Sequence, residues 1–175
     1  FPGAIIGFLF DDIIDTVLYT PLVIAITLIV YGILFILIEK TKKDHPKDSL
    51  GLITYKDALL IGIFQVLALI PGTSRSGATI LGGILLGASR TVAAEFSCFL
   101  AIPMMFGASF LKLIKAGFSW TPFEWSVLAT GTIVAFVVSL LVIHFLMDYV
   151  KKHDFTTFAY YRIGLALVVL TLLFV

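Results

Sequence analysis

Charge is what this sequence has least of. Asp, Glu, Lys and Arg make up 13% of its 175 residues, about half of the quarter typical of soluble domains, and mean hydropathy is +1.11. That shortage excludes an ordinary water-soluble globule. A net charge of +1, with no basic stripe interleaved with aromatics, gives nucleic acid no footing, and none is expected as a partner. Cysteine is almost missing: the single Cys98 rules out an internal disulfide and reads as packing material. No Ser/Gly linker, low-complexity tract or visible repeat divides the chain, so residues 1–175 read as one transmembrane domain. Neither an initiating Met nor a signal-peptide pattern opens it, and it reads as N-terminally incomplete.

What is present is hydrocarbon. Apolar runs cover Pro21 to Ile38, Val92 to Ile114, Trp125 to Met147 and Phe158 to Val175, each close to the ~20 residues a helix needs to cross a bilayer core. The expected class is an all-α, polytopic integral membrane protein. Lysines 40, 42, 43, 47 and 56 form one basic cluster and Lys151 with Lys152 a second; the positive-inside rule makes both cytoplasmic. Asp11, Asp12 and Asp15 then fall on the outer side. His45, His144 and His153 are scattered near basic or interfacial positions and make no metal site. Tyr160, Tyr161 and Arg162 read as an interfacial anchor.

Between the lysine clusters the spacing changes. From Ala58 to Ile70, and again from Ala78 to Ala88, the apolar stretches are too short to span: 13 residues at ~1.5 Å each reach only ~20 Å of a ~30 Å core. Two half-length segments that return to the same side predict a re-entrant helical hairpin over about 57–89. Two full-length helices with an external turn would give the same parity, and that alternative stays open.

At the hairpin's turn lies "LIPGTSRSGATIL", Leu69 to Leu81. Irregular backbone at membrane depth is tolerated only where it is buried in protein or lines a wet cavity, and an intramembrane arginine costs on the order of 3 kcal/mol. Arg75 offers a planar fork of donors, Gly72 and Gly77 allow close backbone approach, and Thr73, Ser74, Ser76 and Thr79 add hydroxyls. Pro71 ends the incoming helix, and the outgoing one begins inside the knot with its free N–H groups aimed there. The combination favours an anion, phosphate best. In the competing reading the hydroxyls only cap the helix and Arg75 pairs with a buried acid such as Glu95. Gln65, six residues before the knot, is a candidate to hydrogen-bond within the hairpin, and Glu95 to approach it.

The stretch "FQVLALIPGTSRSGATI", Phe64 to Ile80, resembles the second signature of the bacterial undecaprenyl-diphosphate phosphatase, or bacitracin-resistance, family. "FPGAIIGFLFDD", "ASRTVAAEFSCFLAIPMM" and "YYRIG" extend the similarity to that family's second portion. The resemblance implies a phosphatase that converts undecaprenyl diphosphate to undecaprenyl phosphate and inorganic phosphate, recycling the carrier for cell-wall synthesis. It implies two inverted repeats, each with a re-entrant hairpin, in the bacterial inner (plasma) membrane, and a site facing the periplasm or exterior. Carried onto this sequence, Arg75 and Ser74 become catalytic, and Gly72, Thr73, Ser76, Gly77 and Thr79 bind phosphate. Divalent metal, Mg or Ca, is implied as cofactor. The family's first signature, two glutamates four apart followed by Pro-x-Ser-Ser and a histidine, does not occur here. The resemblance therefore puts the metal-associated acids and a candidate serine nucleophile in a missing N-terminal half, and the residues present are expected to be inactive alone. It leaves a homodimer open. The competing function class is a transporter or flippase of a phosphorylated lipid or other anion, for which paired half-helices at midplane are a recurring pattern.

Overall fold

In the computed structural model, residues 17–41, 46–117 and 119–174 are described. Asp11, Asp12, Asp15, Lys42, Lys43, His45 and the Phe1–Asp12 stretch lie outside them. The described residues form six α-helices, α1 (Pro21–Thr41), α2 (Tyr55–Phe64), α3 (Arg75–Leu85), α4 (Arg90–Ala116), α5 (Pro122–Lys152) and α6 (Thr156–Phe174), with 3-10 turns at Leu50–Leu52 and Gln65–Leu69. Four of them, α1, α4, α5 and α6, are long and apolar enough to cross a membrane, matching the four apolar runs.

Local chemistry sets most of the boundaries. Thr54 with Asp57, and Thr121 with Glu124, close reciprocal capping boxes at the starts of α2 and α5, the latter with Pro122 in its first turn. Ser89 accepts from the Val92 N–H to open α4. The incoming half of the hairpin is irregular sooner than its apolar pattern suggests: α2 stops at Phe64 and tightens into a 3-10 turn. Ile70, held extended at φ −77° and ψ 123° before Pro71, cannot continue a helix. The outgoing helix starts earlier than the Ala78 expected from hydropathy, at Arg75, because Ser74 supplies the cap.

One end of the molecule is tied together by polar groups. Glu39, near the end of α1, accepts from Arg90 at the start of α4 (Nη2 2.6 Å, Nε 2.9 Å) and from the Phe155 N–H at the start of α6 (3.2 Å). Lys47 pairs with Asp57 at 2.7 Å, accepts from the Ser89 N–H and donates to the Gly87 carbonyl. The entry to α2 and the exit from α3 therefore lie side by side, at the end of the molecule where α4 and α6 begin. The turn between α2 and α3 reaches in the other direction. Thr27 Oγ1 donates to the Pro71 carbonyl at 2.7 Å, about 18 Å along α1 from Glu39. Gly72, at φ +85°, sits so close to α1 that a Cβ would strike Thr27 and the Ile24 backbone; its positive φ and the contact both demand glycine. The core lies where α1, α3, α4 and α6 meet, around Tyr31, Phe35, Ala78, Leu81, Val92 and Ala159.

Candidate anion site

The knot folds around the start of α3. Ser74 has φ 58° and ψ 117° and is the one non-glycine residue with positive φ among the described residues. Such a backbone costs roughly 1–3 kcal/mol and persists only when the surroundings fix it. Here its hydroxyl accepts from the Gly77 N–H at 3.3 Å and approaches the Ser76 hydroxyl at 3.3 Å. Ser74 and Ser76 are exposed to the cavity they help to line. The N-terminal end of α3, with its unpaired N–H groups and partial positive charge, opens onto the same space.

That space is a cavity of about 390 Å³. One wall is polar, formed by Gly72, Ser74, Ser76, Gly77 and Arg162, while Phe35, Val150, Phe155, Phe158 and Leu165 make the rest largely apolar. Cys98, expected as packing, lies in its wall too. An anionic head and an apolar body fit this division.

The other candidate residues are placed differently. Thr79 is buried; its hydroxyl shares a 2.7 Å bond with Ser97 and lies against the Arg75 and Ser76 carbonyls. It supports the turn from behind and does not line the cavity. Thr73 is fully buried, its hydroxyl without a hydrogen-bond partner among the described residues. Arg75 is half-buried, and its Nη1 is likewise buried and unpartnered. Arg75 does not pair with Glu95: the ion pairs among the described residues are Lys47–Asp57, Arg90–Glu39 and those of Asp148 with His144 and Lys151. Glu95 itself lines a second cleft with Thr91, Ile143 and Lys151. Gln65 is buried, but its side chain makes no hydrogen bond among the described residues.

The clearest departure from the sequence reading is Arg162. Its assignment to an interfacial anchor is overturned: the side chain is half-buried, lines the cavity and donates from Nη2 to the Gly72 carbonyl at 2.6 Å. Its guanidinium lies 5.5 Å from the centroid of the buried Tyr31 ring. The signal was present, because an arginine within the apolar Phe158–Val175 run is suspect on the same grounds as Arg75; the neighbouring tyrosines concealed it. Tyr160 and Tyr161 are exposed, and Tyr161 also stands in the cavity's wall. Thr27 and Ser97, the hydroxyls that hold the turn in place, carried no such signal.

The chain is similar to known proteins along nearly its whole length. The chain matches the family described as Bacitracin resistance protein BacA over residues 1–168. It is 60% identical over 173 residues to undecaprenyl-diphosphatase 1 of Clostridioides difficile strain 630, covering 99% of this chain and 63% of that protein. It is 58% identical to undecaprenyl-diphosphatases of Enterococcus faecalis, over 97% of this chain and 62% of the relative, and of Acetivibrio thermocellus, over 96% and 62%. The chain thus spans less than two thirds of the length of these relatives. A helical membrane architecture, a hydroxyl- and guanidinium-lined turn and this similarity along nearly the whole sequence lead to one conclusion: the chain belongs to the bacitracin resistance protein BacA family.

Proposed function

We propose that these residues form the phosphate-holding part of an undecaprenyl-diphosphate phosphatase, in which one water is consumed to hydrolyse the anhydride bond between the two phosphates, leaving undecaprenyl phosphate and inorganic phosphate. The observation that carries the reading is the junction of the α3 N-terminus, Ser74, Ser76 and a guanidinium with an apolar cavity. Polar donors suit a diphosphate, and the apolar remainder suits the first isoprene units of its tail. In phosphoryl transfer most of the catalytic effect comes from positioning and from neutralising charge as the bond breaks. The N–H groups at the start of α3 and the hydroxyl of Ser74 orient the diphosphate, and Arg75 meets the growing charge on the leaving oxygen.

The proposed topology places α2, the Gln65–Leu69 turn and α3 as a hairpin that enters and leaves the bilayer on the cytoplasmic side of the bacterial plasma membrane. Its support is the closeness of Lys47, Asp57, Gly87 and Glu39 at one end and the shortness of both helices. On the family resemblance the proposed site faces the periplasm or exterior, with the apolar wall of Phe35, Val150 and Phe155 reaching back toward the cytoplasmic end. Divalent metal, Mg or Ca, is part of this reading on the family resemblance; among the described residues no three His, Cys, Asp or Glu come together to hold it. The acidic first signature of the family would come from outside the described residues.

Phosphate release from undecaprenyl diphosphate in detergent, by the complete natural protein carrying these residues, tests the reading. Arg75→Ala should lower the rate by about 10²-fold or more, the scale for losing one preorganised charge-stabilising donor. A wild type that releases no phosphate would overturn the phosphatase assignment, and an undiminished Arg75→Ala variant would overturn the role of Arg75.

A further inference from the structure

We infer that Arg162 is a second anion-binding guanidinium of this site, held across the hairpin turn from the last described helix, and that Gly77 is glycine to make room for it. The inference rests on the site being a phosphate site and extends it beyond the knot.

Three observations converge. First, one N–H of Arg162 is committed to the Gly72 carbonyl at 2.6 Å, while the rest of its fork makes no hydrogen bond among the described residues. An arginine used only as a strut would be satisfied by protein on more sides. Second, the uncommitted side faces the knot. A Cβ built on Gly77 would lie 2.9 Å from Arg162 Nη1 and 3.4 Å from Ser74 Oγ. The guanidinium and the capping hydroxyl therefore converge on the same point above the first turn of α3, where an anion meets its N–H groups. Third, Arg162 lines the cavity together with Ser74, Ser76 and Gly77. The Tyr31 ring beneath the guanidinium and the Gly72 carbonyl fix its plane, so little side-chain freedom remains to be lost when an anion binds.

Titration of the complete protein in detergent with inorganic diphosphate, followed calorimetrically, requires no turnover. Arg162→Gln should weaken diphosphate binding at least tenfold. Arg162→Lys, which keeps the charge but not the fork, should fall between the two. Gly77→Ala should weaken binding in the wild-type background, yet add little in the Arg162→Gln background, because the guanidinium it displaces is already gone. Unchanged affinity in both Arg162 variants would overturn the proposal, as would a wild type that does not bind diphosphate. Equal cost of Gly77→Ala in the two backgrounds would overturn the assigned role of Gly77. Should Arg162→Gln fail to fold, Arg162→Lys carries the test alone. A wild type that binds diphosphate but releases no phosphate from the lipid sinks the phosphatase reading and leaves this one standing; an active wild type whose Arg162 variants bind as well as it does has the reverse effect.

Discussion

At the scale of single residues, two carboxylates at the polar end do different work. Asp57, outside the four spanning helices, is pulled down to about pKa 2 by Lys47 and by the Thr54 hydroxyl and N–H. Its ordinary value is 3.8. A carboxyl held lower in the fold than in the open chain favours the fold when ionised. Its contribution is therefore full above about pH 4 and fades as pH falls toward 2. Thermal midpoints of wild type and Asp57→Asn should be separated at pH 6 and converge on acidification across that window; a constant gap would mean that the ion pair does not stabilise the fold. Glu39 is the other case. Its side chain is only 7% exposed and it meets both the Arg90 guanidinium and the Phe155 N–H. Glu39→Gln should cost roughly 3 kcal/mol, the low end for disrupting a buried pair because Arg90 is partly solvated. Chemical unfolding in mild detergent would measure it, and a loss below 1 kcal/mol would show that the contact is dispensable.

At the scale of elements, the helices were legible from the sequence in outline and opaque in detail. Hydropathy and run length are local properties, so the four long helices and the two short ones followed from them within a few residues. The knot announced itself because Arg75 and its hydroxyl neighbours contradict their surroundings. What could not be read was contact across the chain. Arg162 touches Gly72 across 90 positions, and Glu39 reaches Phe155 across 116; no pattern within either segment encodes the other. The close packing of the hairpin was hidden for the same reason. A Cβ on Gly82 would come within 2.7 Å of the Phe64 ring. Gly82→Ala should therefore push α2 from α3 and lower the thermal midpoint despite alanine's better helix propensity. Adding Phe64→Leu should recover part of the loss, and a gain in stability from Gly82→Ala alone would refute so tight a contact.

At the scale of the whole molecule, α1 and α6 form the antiparallel frame around the turn. They approach closely at Gly32, where a Cβ would lie 2.7 Å from Ile163 Cγ1 and 3.1 Å from the Ala159 carbonyl. Small residues at such crossings let helices in lipid exchange van der Waals contact at short range. Gly32→Leu should spread the frame, loosen Arg162 from the Gly72 carbonyl and lower diphosphate affinity, although the substituted residue lies outside the knot. Unaltered affinity in a folded Gly32→Leu protein would separate the frame from the site.

The position of Arg162 also has a consequence in time. During synthesis the turn that carries Arg75 leaves the ribosome almost ninety residues before the helix that locks it, and α2 and α3 are too short to be held across a bilayer by their own hydrophobicity. Until α6 arrives, the Gly72 carbonyl lacks the Arg162 N–H that it accepts in the finished fold. The nascent chain therefore cannot complete the cavity wall until Arg162 is made, and on the proposed reading a ribosome stalled before Tyr161 would leave an inserted chain that binds diphosphate at least tenfold more weakly.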